Sequence, residues 1–240
     1  MSAANPDINA LVFDKDGTLF DYATTWEAWA KSVLLKFAGA DLPFARRLGA
    51  AIGFDVDAGR FDPTSIAIAG TTADIADALE PELPNQTAAQ IETLLNQEAA
   101  HAPQSEAVPL RALLRELAGR GLRLGVATND TETAARVHLA GAGVEAQFDF
   151  IAGYDSGFGG KPAPGQLLAF AEAVGVAPEN CVMIGDSTHD LDAGRAAGMT
   201  CIGVLTGPAV QADLAPFADA VLPDIGHLPA WLDARSRARA

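Results

Sequence analysis

The sequence is short of positive charge. Its 16 lysines and arginines stand against 31 aspartates and glutamates, a formal net charge of −15. Polynucleotide binding rests on many basic contacts to phosphates, so nucleic acid is not an expected partner. A small phosphate ester is not excluded, because a few cations gathered locally suffice for it. Long apolar runs are also missing, and with them a candidate membrane span; Met1 to Asn9 lack the basic start and apolar stretch of a secretory leader. Cysteine is scarce. Cys181 and Cys201 are the two, each opening an expected core strand and neither with metal-ligand spacing, which reads as small buried thiols in a cytoplasmic protein. No internal repeat is visible. What is plentiful is apolar character, 49% of 240 residues, enough for one large domain or a core with a smaller companion.

The chain is organised around Leu11-Val12-Phe13-Asp14-Lys15-Asp16-Gly17-Thr18-Leu19. An apolar run, read as a buried parallel strand, ends in two carboxylates one residue apart, then a glycine and a hydroxyl. Alternate side chains of a strand share a face, so Asp14 and Asp16 can enter one crevice while Lys15 points away. Asp and Gly also suit a plain surface turn. Two close carboxylates repel unless a cation or a shared proton relieves them. A divalent metal with oxygen ligands would do so; a proton on Asp16 would make it a general acid beside a nucleophilic Asp14.

Three further stretches have the same construction. Leu124-Gly125-Val126-Ala127-Thr128-Asn129 is an apolar run ending in a hydroxyl and an amide. Gly160-Lys161-Pro162 places a cation in a glycine-flanked loop. Val182-Met183-Ile184-Gly185-Asp186-Ser187-Thr188-His189-Asp190 is a third strand ending in carboxylates. In this order, the four resemble the motifs of the haloacid dehalogenase-like superfamily, with the nearest likeness to its phosphoglycolate phosphatase-like members. The resemblance covers the chain except for residues 20 to 105, roughly.

The resemblance implies a Mg²⁺-dependent phosphatase. Asp14 would attack phosphorus and form an aspartyl-phosphate, with Asp16 as general acid and base. Asp14, the backbone carbonyl of Asp16, Asp186 and Asp190 would hold Mg²⁺, Asp186 and Asp190 being otherwise simple helix-capping residues. Thr128, Asn129 and Lys161 would bind the phosphoryl group, Lys161 also neutralising Asp14. Asp14-Lys15-Asp16-Gly17-Thr18-Leu19 is similar to the phosphorylation loop of P-type ATPases, which has Thr where Asp16 stands; with Asp the phosphoenzyme should hydrolyse. Lys15 reads as structural or peripheral, His189 as a bystander, and Ser187 as a group that positions Asp186 or Lys161.

The coarse pattern supports that fold. From Pro109 onward helices and strands alternate, implying an α/β architecture with a doubly wound parallel sheet. Between the first strand and Pro109 helical segments follow one another: Trp26 to Phe37, Phe44 to Phe54, Ser65 to Leu79, and Thr87 to Ala100. We therefore expect a Rossmann-like core of residues 1–20 and 106–240, and an inserted α-helical cap of residues 21–105. Linkers would lie near 20–23 and 101–108, and the tail from Ala234 to Ala240 would be frayed. Asp21, Thr24, Trp26 and Gly70-Thr71-Thr72 are candidate cap contacts, Trp26 reading first as helix packing. The expected partner is a small phosphorylated metabolite, phosphoglycolate foremost, and the expected state a monomer or homodimer. The alternatives are a sugar-phosphate phosphomutase of the same superfamily and a non-catalytic phosphate-binding or regulatory protein on its scaffold. Lys31, Lys36, Arg46, Arg47 and Arg60 are too few and scattered for the second phosphate site of a mutase.

Overall fold

The structure is a computed structural model that describes residues 7–62 and 64–237. The side chain of Thr24, an expected cap contact, lies outside the described residues, as does the 238–240 end of the expected frayed tail. The chain runs from β1 (Ala10–Phe13) through α1 (Tyr22–Phe37), α2 (Leu42–Ala51), the short strands β2 (Phe54–Asp55) and β3 (Arg60–Phe61), α3 (Ile66–Ala69), α4 (Thr72–Leu79) and α5 (Ala88–Ala99). It continues through α6 (Leu110–Gly119), β4 (Arg123–Ala127), α7 (Glu132–Gly141), β5 (Phe150–Ala152), α8 (Gly165–Val174) and β6 (Cys181–Gly185). The last elements are α9 (Thr188–Ala197), β7 (Thr200–Val204), α10 (Gln211–Leu214), β8 (Ala220–Leu222) and α11 (Leu228–Arg237).

Six strands form one sheet in the order β5-β4-β1-β6-β7-β8, every pair parallel. The two-residue alternation of β1 divides its side chains between two layers. Leu11 and Phe13 join α6, α7 and α11 through Leu110, Leu114, Leu139 and Leu228. Ala10 and Val12 join α8 and α9 through Leu167, Phe170 and Ala193. Gly125 permits this second layer to come close: a Cβ there would stand 2.4 Å from the Phe170 ring. Both cysteines are buried and free, as expected, and burial pushes each thiol up to about 12. Among the described residues no helix is long and apolar enough to cross a membrane.

A separate apolar cluster is drawn entirely from residues 22 to 102, with Trp26, Trp29, Leu34, Leu48, Ile91 and Leu95 among its buried members. The two chain crossings between this cluster and the sheet lie side by side: Asp21 N donates to Ser105 O at 2.8 Å and Ala107 N to Leu19 O at 2.9 Å.

Several local expectations need correction. The helix expected over 44–54 stops at Ala51, and Phe54 instead opens a β2–β3 hairpin because its ring packs on Phe61, with centroids 4.8 Å apart. The helix expected over 65–79 breaks at Gly70, since Thr71 caps α4 in a reciprocal box with Asp74. The tail is helical as far as Arg237, where Arg235 lies over the Trp231 ring at 5.4 Å.

Leu114 and Leu34 are fully buried in different clusters. Leu114→Ala and Leu34→Ala should each cost about 2–5 kcal/mol in urea unfolding. A loss well under about 1 kcal/mol would show that the corresponding cluster is loosely packed.

Candidate active site

Register builds the site. Phe13 pairs with Val126 on one side and Ile184 on the other. The residues that follow, Asp14, Thr128 and Asp186, therefore emerge on one rim, at the carboxyl ends of β1, β4 and β6, where open parallel sheets carry their ligands.

Lys161 reaches this rim from the loop before α8. Its Nζ donates to Asp14 Oδ1 at 2.6 Å, Asp190 Oδ1 at 2.6 Å and the carbonyl of Ala127 at 2.8 Å. Burial disfavours the ammonium, but Asp14 and Asp190 outweigh it and hold Lys161 above the usual lysine range. Asp14 is pushed up to about 7, first by burial, with Lys161 opposing and Asp190 and Asp16 adding to the rise. Burial, then the charges of Asp190 and Asp14, push Asp186 well above the usual carboxylate range. Asp14, Asp186 and Asp190 each offer an oxygen, all within 4.8 Å of one another. Three carboxylates against one lysine leave a deficit of positive charge, and an all-oxygen donor set suits a hard divalent cation such as Mg²⁺. The chain's own residues thus fit that ion.

Asp190 has two duties. Its Oδ1 meets Lys161, while Oδ2 accepts from the Ser187 hydroxyl at 2.7 Å and the Ser187 amide at 3.1 Å, closing the capping box of α9. Ser187 thus orients Asp190, rather than Asp186 or Lys161. Gly17, with φ +81°, turns the chain after Asp16; a Cβ there would fall 2.4 Å from Asp186 Oδ2. Its carbonyl is held by Thr206 Oγ1 at 2.6 Å.

Thr128 is buried, and its Oγ1 accepts from the Asp130 amide at 3.1 Å, which leaves the hydroxyl proton to donate. Asn129 clasps the lysine loop with both ends of its amide: Oδ1 accepts from Lys161 N at 2.7 Å and Nδ2 donates to Lys161 O at 2.9 Å. Gln166, not singled out from sequence, ties the same loop by donating to Thr128 O and Gly159 O, both at 3.0 Å. His189 stays on the pocket wall and Asp21 stays outside it.

The crevice holds about 640 Å³ of space, part of it open to solvent, between this acidic floor and a wall from the inserted segment. The wall includes Tyr22, Trp26, Trp29, Phe61, Ile68 and Ile75, together with Gly70 and Thr72. Trp26 both packs in the insertion's core and faces the pocket.

Residues 8–198 match the sequence model of a haloacid dehalogenase-like hydrolase. The chain belongs to that family. It is similar to a phosphoglycolate phosphatase of Neisseria meningitidis serogroup A, 31% identical over 233 residues that cover 95% of this chain and 94% of that one. A phosphoglycolate phosphatase of Rhodospirillum rubrum is 36% identical over 121 residues, a match spanning half of each chain. A solved hydrolase from Pseudomonas syringae superposes with TM-score 0.69 at 23% identity, covering 95% of this chain and 98% of its own; it shares the fold.

This haloacid dehalogenase-like hydrolase carries a second buried lysine. As alternation has it, Asp14 and Asp16 line the crevice and Lys15 does not, but Lys15 is not peripheral: it is fully buried behind them. Its Nζ lies 2.7 Å from the Asp16 carboxylate, 3.2 Å from Asp130 Oδ2 and 3.0 Å from His138 Nδ1. Asp16 and Asp130 hold Lys15 above its usual pKa against the cost of complete burial. Burial, then Lys15, lowers His138 to about 4. Neutral His138 accepts from Lys15 at Nδ1 and donates from Nε2 to the carbonyl of Ala99 at 3.0 Å. The sequence signal for this cluster was one more carboxylate, Asp130, past the end of β4; nothing local marked His138. Removing one member of a buried ion pair costs about 3–5 kcal/mol. Lys15→Met should lose stability on that scale in urea unfolding, and Lys15→Met combined with Asp130→Asn should recover most of it. A double variant no more stable than the single one would refute the pairing.

Proposed function

We propose that this hydrolase is a Mg²⁺-dependent phosphomonoesterase acting on a small phosphorylated metabolite. The observation that carries the reading is the joining of Asp14, Asp190 and Ala127 O by Lys161, with Asp186 beside them in charge deficit. The names of the relatives point to phosphoglycolate as the first substrate to assay. Residues 1–20 and 106–240 would be the catalytic core and residues 21–105 the cap that excludes water and selects the leaving group.

A carboxylate attacks a dianionic ester only when the mutual repulsion is offset. Asp14, Asp186, Asp190 and the Asp16 carbonyl would hold Mg²⁺, which when bound supplies charge neutralisation at the phosphoryl oxygens. The Thr128 hydroxyl donates to the same oxygens, Lys161 contributes its charge while its hydrogens hold Asp14, Asp190 and Ala127 O, and Asn129 keeps the lysine loop in place. Asp14 forms the new bond to phosphorus as the ester P–O bond breaks. Asp16 gives its proton to the departing oxygen. It then takes a proton from water, which attacks phosphorus, releases inorganic phosphate and restores Asp14. Lys15 holds the Asp16 carboxylate in position for both transfers.

Exhaustive chelation should abolish turnover and Mg²⁺ should restore it; full activity without divalent metal would defeat the metal assignment. Asp14→Asn should form no phosphoenzyme. Asp16→Asn keeps nucleophile and carbonyl but loses the proton donor and base, so dephosphorylation should slow by roughly 10²–10⁴ and phosphoenzyme should accumulate from an aryl phosphate. Acid quench and mass measurement read both. Covalent phosphate on Asp14→Asn would rule the mechanism out.

A further inference from the structure

We propose that His138 is a positioning residue for Asp16: it fixes the Lys15 ammonium that holds the Asp16 carboxylate, and it does so in the tautomer selected by the carbonyl of Ala99. The proposal rests on the phosphomonoesterase reading and adds a residue to the proton transfers of that reaction.

Among the described residues, Lys15 is the one group that hydrogen-bonds the Asp16 carboxylate. Asp16 lines the crevice, so its aim toward a substrate depends on that single partner. A partner can hold it only if it is itself held. An ammonium has three hydrogens and no acceptor. Around Lys15 Nζ stand Asp16, Asp130 Oδ2 at 3.2 Å and His138 Nδ1 at 3.0 Å, with the Trp26 ring centroid 5.4 Å away. Asp130 Oδ2 is buried and receives no well-aimed hydrogen bond. Without the acceptor on His138 the ammonium is drawn toward Asp130, and Asp16 loses its fixed neighbour.

Both ends of the imidazole are decided by what they face. A neutral ring has one donor nitrogen and one acceptor nitrogen, and burial, then Lys15, keeps this ring neutral. Lys15 cannot accept, so Nδ1 accepts and the hydrogen is on Nε2. There it donates to Ala99 O at 3.0 Å. Gln104 Nε2 stands 3.4 Å from the same ring nitrogen but donates to Ala102 O at 3.2 Å. The opposite tautomer would set an N–H against the ammonium and leave Ala99 O unmet. His138 is 3% exposed, which keeps water from substituting for either partner. Ala99 is the last residue of α5, so the inserted segment acts on Asp16 through His138.

The test uses two aryl esters of similar size with saturating Mg²⁺. The leaving group of 4-nitrophenyl phosphate needs little protonation, whereas that of phenyl phosphate needs more, so the ratio of their kcat/KM values (phenyl over nitrophenyl) reads the acid. A ratio within one variant does not depend on how much of it folds, and a merely structural role would slow both esters alike. His138→Leu should lower the ratio about tenfold, within the range of a lost general acid. His138→Asn places an amide oxygen near the Nδ1 position, accepts from Lys15 without tautomer choice, and should keep the ratio within about threefold of the parent. Asp16→Asn should lower the ratio, and adding His138→Leu to it should lower it no further, because the two act through one group. Nitrogen NMR of histidine-labelled protein, with the signal assigned by its loss in His138→Asn, should find the His138 hydrogen on Nε2. The proposal is overturned, with the phosphatase reading left standing, by an unmoved ratio in His138→Leu, by a ratio in His138→Asn as low as in His138→Leu, by a further fall in the double variant, or by a hydrogen on Nδ1. Hydrolysis of neither ester by the parent would overturn the phosphatase reading itself, and this inference with it.

Discussion

The ammonium of Lys161 is the constraint on which the rest of the site depends. It lies buried between two carboxylates and a backbone carbonyl that come from β1, α9 and β4. Removing such a charge from water is expensive unless every donor is met. The protein meets all three, and it braces the lysine loop with Asn129 and Gln166. The parallel sheet supplies the necessary convergence, since β4 and β6 flank β1 in the same register.

A second buried ammonium, Lys15, serves the neighbouring carboxylate. The two lysines divide the carboxylates: Lys161 faces Asp14 and Asp190, while Lys15 faces Asp16 and Asp130. Through His138 the Lys15 cluster ends on Ala99, the last residue of α5 in the inserted segment. A further contact joins the two parts, where Tyr154, in the loop after β5, meets Thr72, Asn96 and Glu92. The insertion is thus tied to the floor by buried polar groups as well as by its two chain crossings.

Floor and wall differ in chemistry. The floor is a set of charges whose geometry is dictated by strand ends and by the loop that carries Lys161. The wall is aromatic, with the indole donors of Trp26 and Trp29 buried and unmet. On the phosphomonoesterase reading proposed above, a change in the insertion alone would alter the leaving group while the floor stayed the same, since fold alone does not name a substrate.

Much of the floor was legible in the sequence because each part is local. An apolar run that stops at Asp14-Lys15-Asp16-Gly17, another at Thr128-Asn129 and a third at Gly185-Asp186 mark strand ends wherever the strands are placed. Their order along the chain identified the family and its parallel sheet. The hairpin at Phe54 and Phe61 was not legible, since two-residue strands carry no periodicity and exist only because the rings meet. Nor was the burial of Lys15, whose partners Asp130 and His138 lie more than a hundred residues away along the chain. The spacing of Trp26 and Trp29 indicated an apolar helix face; that the same face closes the pocket, with its indole hydrogens unanswered, followed from how the insertion packs. The sequence by itself determined which residues could do chemistry, because strand-end patterns are local. Only the tertiary structure decided which charges are paired and which donors are left open, because burial and partnership are set by contacts between distant segments.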